Sequence, residues 1–214
     1  MNRLQFLLLK IIEESGEIAS ELLEHGLAQK VHLEIDDLEA VVRLFGSEFN
    51  TFTYLNYRSV EKKQLAMVVD GSKDFWTLKL QKACLDLSKI AGKCMQFGLM
   101  ERQAELQVTN LSRLADAVLE LYNCIQVLNQ EFEFSYTFNE ERIKLKNQKI
   151  QKYHDYSVEL GLVTTDPVPQ DQYPLFAVFL DESNYFAHYD RFIPSEAKTA
   201  ICVPIKADET EIKS

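Results

Sequence analysis

Two short acidic runs carry the most specific chemistry in the chain: Glu13-Glu14-Ser15-Gly16-Glu17, and Glu34-Ile35-Asp36-Asp37. Residues three apart on a helix share a face, so Glu14 converges with Glu17, and Glu34 with Asp37. Two adjacent helices of this kind bring four carboxylates to one point. Anionic oxygens at such a point repel one another strongly unless a hard cation sits among them. Mg²⁺ is the natural candidate, with Mn²⁺ as the alternative, because Mg²⁺ takes carboxylate oxygens and leaves positions for water and phosphate.

A charged helix face is ordinarily just the solvated one, and a helical wheel at about 100° per residue separates the two cases. On the second helix Asp36, Glu39 and Arg43 fall together on a polar arc. Glu34 and Asp37 fall among Leu38, Val41, Leu44 and Phe45, inside the apolar arc. Carboxylates placed there cost several kcal/mol unless they are paired or bound to metal. On the first helix Glu14 borders the apolar face and Glu17 lies one step further out. Solvation therefore accounts for Glu13, Glu21 and Glu24, and accounts poorly for Glu34 and Asp37. The quartet Glu14, Glu17, Glu34 and Asp37 reads as a metal site.

The elements that must position these groups are helical. Apolar periodicity marks helices over 3–28, 31–45, 58–69, 75–98, 103–131 and 139–160, with Gly26, Gly46, Gly71 and Gly98 as stops. An aromatic, irregular stretch covers 49–57. All five prolines lie beyond Gly161. There, Ala177–Leu180 and Ala200–Pro204 read as short strands. The expected architecture is an all-α body over 1–160 followed by an irregular or weakly β appendage over 163–214.

The chain has 214 residues, 46% hydrophobic and 26% charged, with a formal charge of −10. Such a surface repels phosphate backbones, so unaided nucleic-acid binding is not expected. With 7 glycines and neither GxGxxG nor GxxxxGK[ST], no phosphate loop is present. Cys84, Cys94, Cys124 and Cys202 are widely spaced, with no CxxC; they read as free, mostly buried thiols in a reducing cytoplasm. Lys10 interrupts the apolar run from Leu4 to Ile12, which is neither a leader nor a membrane span. His25, His32, His154 and His188 show no metal spacing, no GxSxG occurs, and Ser15 between acids is no activated nucleophile.

The helical body contains a weak internal repeat. Leu22-Leu23-Glu24-His25-Gly26-Leu27 aligns with Cys94-Met95-Gln96-Phe97-Gly98-Leu99. Leu38–Val42 aligns with Ala117–Leu121, and Thr53-Tyr54…Arg58…Lys62 with Thr137-Phe138…Arg142…Lys146. The division that follows is a first unit over 1–71, a second over 72–162, and an extension over 163–214.

The order ExxE, sixteen intervening residues, ExxD resembles the signature of the MazG-like all-α nucleoside triphosphate pyrophosphohydrolases. Their relatives are the dimeric dUTPases, dCTP pyrophosphatases and phosphoribosyl-ATP pyrophosphohydrolases. The opening Leu4-Gln5-Phe6-Leu7 through Ala19 is similar to the family's first helix. The stretch Glu141-Arg142-Ile143 through Gly161 is similar to the closing helix of short phage-type members. The resemblance covers about residues 1–160 and implies a helical bundle built as an internal pseudo-dimer. It implies Mg²⁺ ligands at Glu14, Glu17, Glu34 and Asp37, with Glu13 as a helper carboxylate. The implied reaction is hydrolysis of a nucleoside triphosphate to the monophosphate and pyrophosphate. Arg58, Lys62, Arg142, Lys146 and Lys149 are the candidates to hold phosphates; an ordinary solvated face is the alternative for these stripes. Tyr54, Phe52 or Trp76 could stack on a base, although aromatics at this spacing are more often core.

In the second copy the positions of Glu14, Glu17, Glu34 and Asp37 become Asp86, Lys89, Arg113 and Asp116. Two acids have become two cations, so Lys89 and Arg113 can pair with Asp86 and Asp116 where a metal would sit. The expected protein is a cytoplasmic, Mg²⁺-dependent nucleotide pyrophosphohydrolase with one live site, independent of membranes and compatible with a homodimer. The competing expectation is a catalytically decayed bundle of the same kind, acting as a nucleotide-binding or protein-interaction module.

Overall fold

In a computed structural model, residues 1–49, 71–102 and 108–165 are described, together with the backbone of 179–180 and 186–187. The fold is all-α. The five helices are α1 (Arg3–His25), α2 (Gln29–Phe49), α3 (Lys73–Phe97), α4 (Asn110–Glu131) and α5 (Glu140–Glu159). β1 (Phe179–Leu180) pairs antiparallel with β2 (Phe186–Ala187), and β1 falls inside the expected strand at Ala177–Leu180. The expected helix at 58–69, the aromatic stretch beyond Phe49 and the strand at Ala200–Pro204 lie outside the described residues.

Local chemistry sets the helix ends. Asn2 caps α1 in a reciprocal box: its side chain accepts from Gln5 N at 2.9 Å while Gln5 Oε1 accepts from Asn2 N at 3.1 Å. α1 and α3 both end on a glycine with positive φ, Gly26 at 61° and Gly98 at 89°. Each glycine donates its N–H to the carbonyl four residues back, Leu22 and Cys94, at 3.0 Å. A Cβ would strain that backbone conformation. Ser72, Thr109 and Asn139 cap α3, α4 and α5 with side-chain oxygens. α4 begins at Asn110, not at Gln103 as periodicity suggests. The Thr109 cap fixes that start, and Arg102 forms an isolated bridge with Thr109.

α1 is the central helix, packed between α2 and α3; α4 covers α3, and α5 lies along α2. Leu7, Leu8, Ile11 and Ile18 of α1 are wholly buried, with Val31, Val41 and Phe45 of α2 and Leu80 and Leu87 of α3. α1 and α3 run antiparallel, touching where Ser15 and Ser88 hydroxyls meet at 2.7 Å and where Gln81 Nε2 donates to Ala19 O at 3.1 Å. Cys84, Cys94 and Cys124 are buried free thiols, and burial raises all three above the ordinary thiol range. No helix among the described residues is long and apolar enough to cross a membrane.

The docking of α5 on α2 positions the candidate site, and a buried carboxylate holds it. Asp36, 3% exposed, accepts from Tyr136 Oη at 2.9 Å and from Asn139 N at 3.1 Å. Asn139 is the cap of α5, its side chain accepting from Arg142 N at 3.1 Å. Asn129 fixes Tyr136 through both of its backbone groups at 2.8 Å. At the other end of α5, Leu162 O accepts from the Met1 ammonium and Met1 O accepts from Thr164 N, both at 2.8 Å. Asp36→Ala strands a buried hydroxyl and a backbone N–H, so it should cost about 2–3 kcal/mol of unfolding free energy in a urea titration.

Candidate metal centre

Glu14 of α1 and Glu34 and Asp37 of α2 each place a carboxylate oxygen within 4.8 Å of the other two. Glu14 is 1% exposed and Asp37 9%, while Glu34 is half-buried. The helix α1–α2 packing explains the meeting: Glu14 sits one turn beyond Ile11 on the buried side of α1, and Asp37 lies between Ile35 and Leu38 of the α2 core face. Three hard oxygen donors converging from two helices form a set that fits a divalent cation. Among the described residues this is the one such group.

Glu17 stands at the exposed edge of the same cluster. It lies beside Glu34 and repels both Glu34 and Glu14 electrostatically. Glu13 faces solvent and pairs with Lys10 at 2.5 Å. Of the basic candidates, α5 delivers two into the cluster. Lys146 Nζ lies 2.8 Å from Glu14 Oε2 and 2.8 Å from Asp37 Oδ2. Arg142 Nη2 lies 3.0 Å from Asp37 Oδ1, and its Nε donates to Leu33 O at 3.2 Å. Lys149 is exposed, over the Tyr153 ring. Trp76 packs against the core, with Lys79 Nζ 4.5 Å from its ring centre and Phe75 edge-on. Arg58, Lys62, Phe52 and Tyr54 lie outside the described residues.

Electrostatics follow from the burial. Desolvation raises the Glu14 carboxyl to about 7; Lys146 opposes the rise, and Glu17 and Asp37 add to it. Burial also raises Glu34, reinforced by Glu17 and Asp37. For Lys146 burial alone would favour the neutral amine, but its bonds to Asp37 and Glu14 outweigh this and the net shift is upward. The ammonium is therefore charged at neutral pH.

Among the described residues the second half holds no matching cluster. Asp86 pairs with Lys82 of its own helix, Arg113 donates to Asn110 Oδ1 at 3.3 Å, and Lys89 and Asp116 are exposed. The expected Lys89 and Arg113 pairing with Asp86 gives way to the i,i+4 neighbour, which needs no tertiary contact.

Two expectations from the helical wheel need correction. Asp36 and Glu39, assigned to a polar arc, are 3% and 7% exposed. Glu39 accepts from Tyr122 Oη and from Arg43 Nε, and Arg43 in turn grips Glu140 through Nη1 at 2.7 Å. That arc faces α4, the 132–138 segment and the start of α5. The alternation Phe132, Phe134, Tyr136, Phe138 was the available signal, since a period of two lays aromatics on one side of an extended segment. Glu21 also is nearly buried, held by Lys30 and beside His25.

No family model, curated protein or solved structure matches this chain.

The raised Glu14 makes stability depend on pH. A carboxyl whose folded pKa exceeds its unfolded value contributes stability fully present below about 4.5 and lost as pH rises through 7. His32, held low by burial beside Phe134 and Tyr136, gives the opposite slope below its ordinary 6.5. Above pH 6.5 the His32 slope is gone, so over pH 6.5–8 in chelator Glu14 should remove roughly 1 kcal/mol of stability, with the raised Glu34, Asp36 and Glu39 carboxyls acting in the same direction. Glu14→Gln should remove that part of the slope, read from urea midpoints across the window.

Proposed function

We propose that this chain is a divalent-cation-dependent nucleotide pyrophosphohydrolase, converting a (d)NTP to the monophosphate and pyrophosphate, or releasing pyrophosphate from a related nucleotide such as an alarmone. The observation that carries the reading is the convergence of Glu14, Glu34 and Asp37 from two helices, with Lys146 of α5 inserted among them and Arg142 at their edge. The resemblance of ExxE…ExxD to the MazG-like enzymes supplies the reaction class, and the division into units over 1–71 and 72–162 belongs to the same proposal.

In this reading Glu14, Glu34 and Asp37 hold the cation, with Glu17 completing the set from the exposed side. Mg²⁺, or Mn²⁺ in its place, would supply neutralisation of phosphate charge and lower the pKa of the attacking water. Water oxygen joins the α-phosphorus, the bond from that phosphorus to the bridging oxygen breaks, and pyrophosphate leaves. Arg142, a third exposed, presents a planar fork suited to phosphate oxygens. The apolar wall of α2 keeps bulk water from the buried side, where burial raises Glu14 in the metal-free site and a bound cation would hold it ionised; the attacking water's proton passes to solvent at the open edge of the cluster. The substrate is a soluble nucleotide, with no nucleic acid or membrane required.

One observation favours a second reading. Lys146 and Arg142 already neutralise two of the three carboxylates, which is what a decayed bundle retained for nucleotide or protein binding would need. Turnover separates the two. Pyrophosphate release should be measured from a panel of dNTPs, NTPs and ppGpp with Mg²⁺ or Mn²⁺. One substrate should be cleaved, and Glu34→Gln or Asp37→Asn should lower kcat/KM at least about 100-fold. Absence of turnover across the panel by folded protein would sink catalysis. Mg²⁺ that raises Tm in the native chain, and fails to in Glu34→Gln, would then leave a metal- and nucleotide-binding module.

A further inference from the structure

The carboxylates that could hold a cation also hold a lysine, and the two cannot be there together. Lys146 Nζ touches Glu14 and Asp37 at 2.8 Å each, and both belong to the trio whose oxygens fall within 4.8 Å of one another. An ammonium has three donors and no lone pair, so it can neutralise those oxygens but cannot ligate a metal. A divalent ion among the same oxygens would face its positive charge at contact distance. Arg142 occupies the other oxygen of Asp37 from the half-exposed side, and Glu34 makes no ion pair with either α5 cation. Of the two α5 cations, Lys146 is the one that bridges two members of the trio.

We propose that Lys146 is a displaceable internal cation: it neutralises the trio while no divalent ion is bound, and it leaves when one binds. This rests on the metal-dependent reading of the site. The four-carbon stem of lysine turns about several bonds, so Nζ can withdraw while its helix stays docked. Arg142 lies one turn earlier on α5, on the same face, and marks the direction of withdrawal. There the ammonium joins the guanidinium as a partner for an anion, the phosphate chain of the substrate. Metal and phosphate binding are thereby coupled: either makes the other more favourable, because the displaced charge needs a new counter-charge. Metal alone binds weakly, and metal with polyphosphate binds well.

The full chain is titrated with Mn²⁺ by calorimetry, with and without pyrophosphate, as wild type, Lys146→Met and Glu34→Gln. Lys146→Met should tighten Mn²⁺ binding about tenfold, including from undetectable, and should lose most of the gain that pyrophosphate gives the wild type. Glu34 does not touch the lysine, so Glu34→Gln should remove Mn²⁺ binding. Binding that is lost in Glu34→Gln yet is unchanged or weaker in Lys146→Met overturns the lysine's role and leaves the metal site standing. Binding that survives Glu34→Gln overturns the functional reading together with this one. Because Lys146→Met can misfold, amine acylation of the wild type gives a second test. Lys146, whose side chain is 12% exposed, should react several-fold faster with Mn²⁺ and slow again with Mn²⁺ plus pyrophosphate, judged against exposed Lys144 and Lys149 on the same helix. Unchanged labelling at saturating Mn²⁺ overturns the proposal.

Discussion

Carboxylates crowded within 4.8 Å of one another, one of them almost wholly buried, need positive charge among them, and the rest of the fold is arranged around that need. α1 and α2 pack their apolar stripes and so bring Glu14 against Asp37. That packing desolvates Glu14, and the carboxyl stays raised even with Lys146 beside it, so the two helices alone would leave an unfavourable centre. α5 relieves it by bringing Lys146 and Arg142. The position of α5 is in turn set from outside the cluster, by Asp36 at its first turn and by the Met1 contacts at its end. Loss of either anchor would weaken the charge balance without touching a member of the trio.

α2 therefore carries acids with two different kinds of partner. Asp36 and Glu39, three apart, face α4, the aromatic segment and the cap of α5. Their partners are two tyrosine hydroxyls, a backbone N–H and an arginine fork. All are rigid or doubly anchored, as suits groups that hold elements in register. Glu34 and Asp37, also three apart, face α1 and α5, where the counter-charges are a flexible lysine and a part-exposed arginine, with the like-charged Glu17 at the solvent edge. Exchangeable partners are what a binding site requires, and the contrast lies within a single helix.

The sequence shows this only in part. Glu34 and Asp37 stand out because they interrupt an apolar stripe, and Glu14 because it borders one; periodicity suffices for all three. Asp36 and Glu39 are invisible to the same wheel, because what buries them comes from more than eighty residues away, through Tyr122, Tyr136 and the start of α5. A wheel reports amphipathicity within one helix and is blind to a third layer laid over its polar side. The start of α4 at Asn110 is missed for a related reason: the apolar spacing continues upstream, while the Thr109 hydroxyl and the Arg102 bridge end the helix there. Lys146 was legible as a basic stripe on α5, and its insertion between two carboxylates was not.

The cost of the trio bears on whether the cluster is merely structural. Charges taken out of water and paired are often no more stabilising than apolar side chains of the same size. Here the pairing is incomplete: Glu14 remains raised despite Lys146, and Glu34 is raised further by its neighbours. A purely structural junction between α1, α2 and α5 would be served by the kind of fixed, saturated contacts that Asp36 makes a turn away. The second half of the chain has that simpler character, its Asp86 resolved by Lys82 on the same helix. An under-neutralised cluster at the edge of solvent, by contrast, has a standing affinity for one more positive charge. That residual charge is what the proposed divalent ion would satisfy.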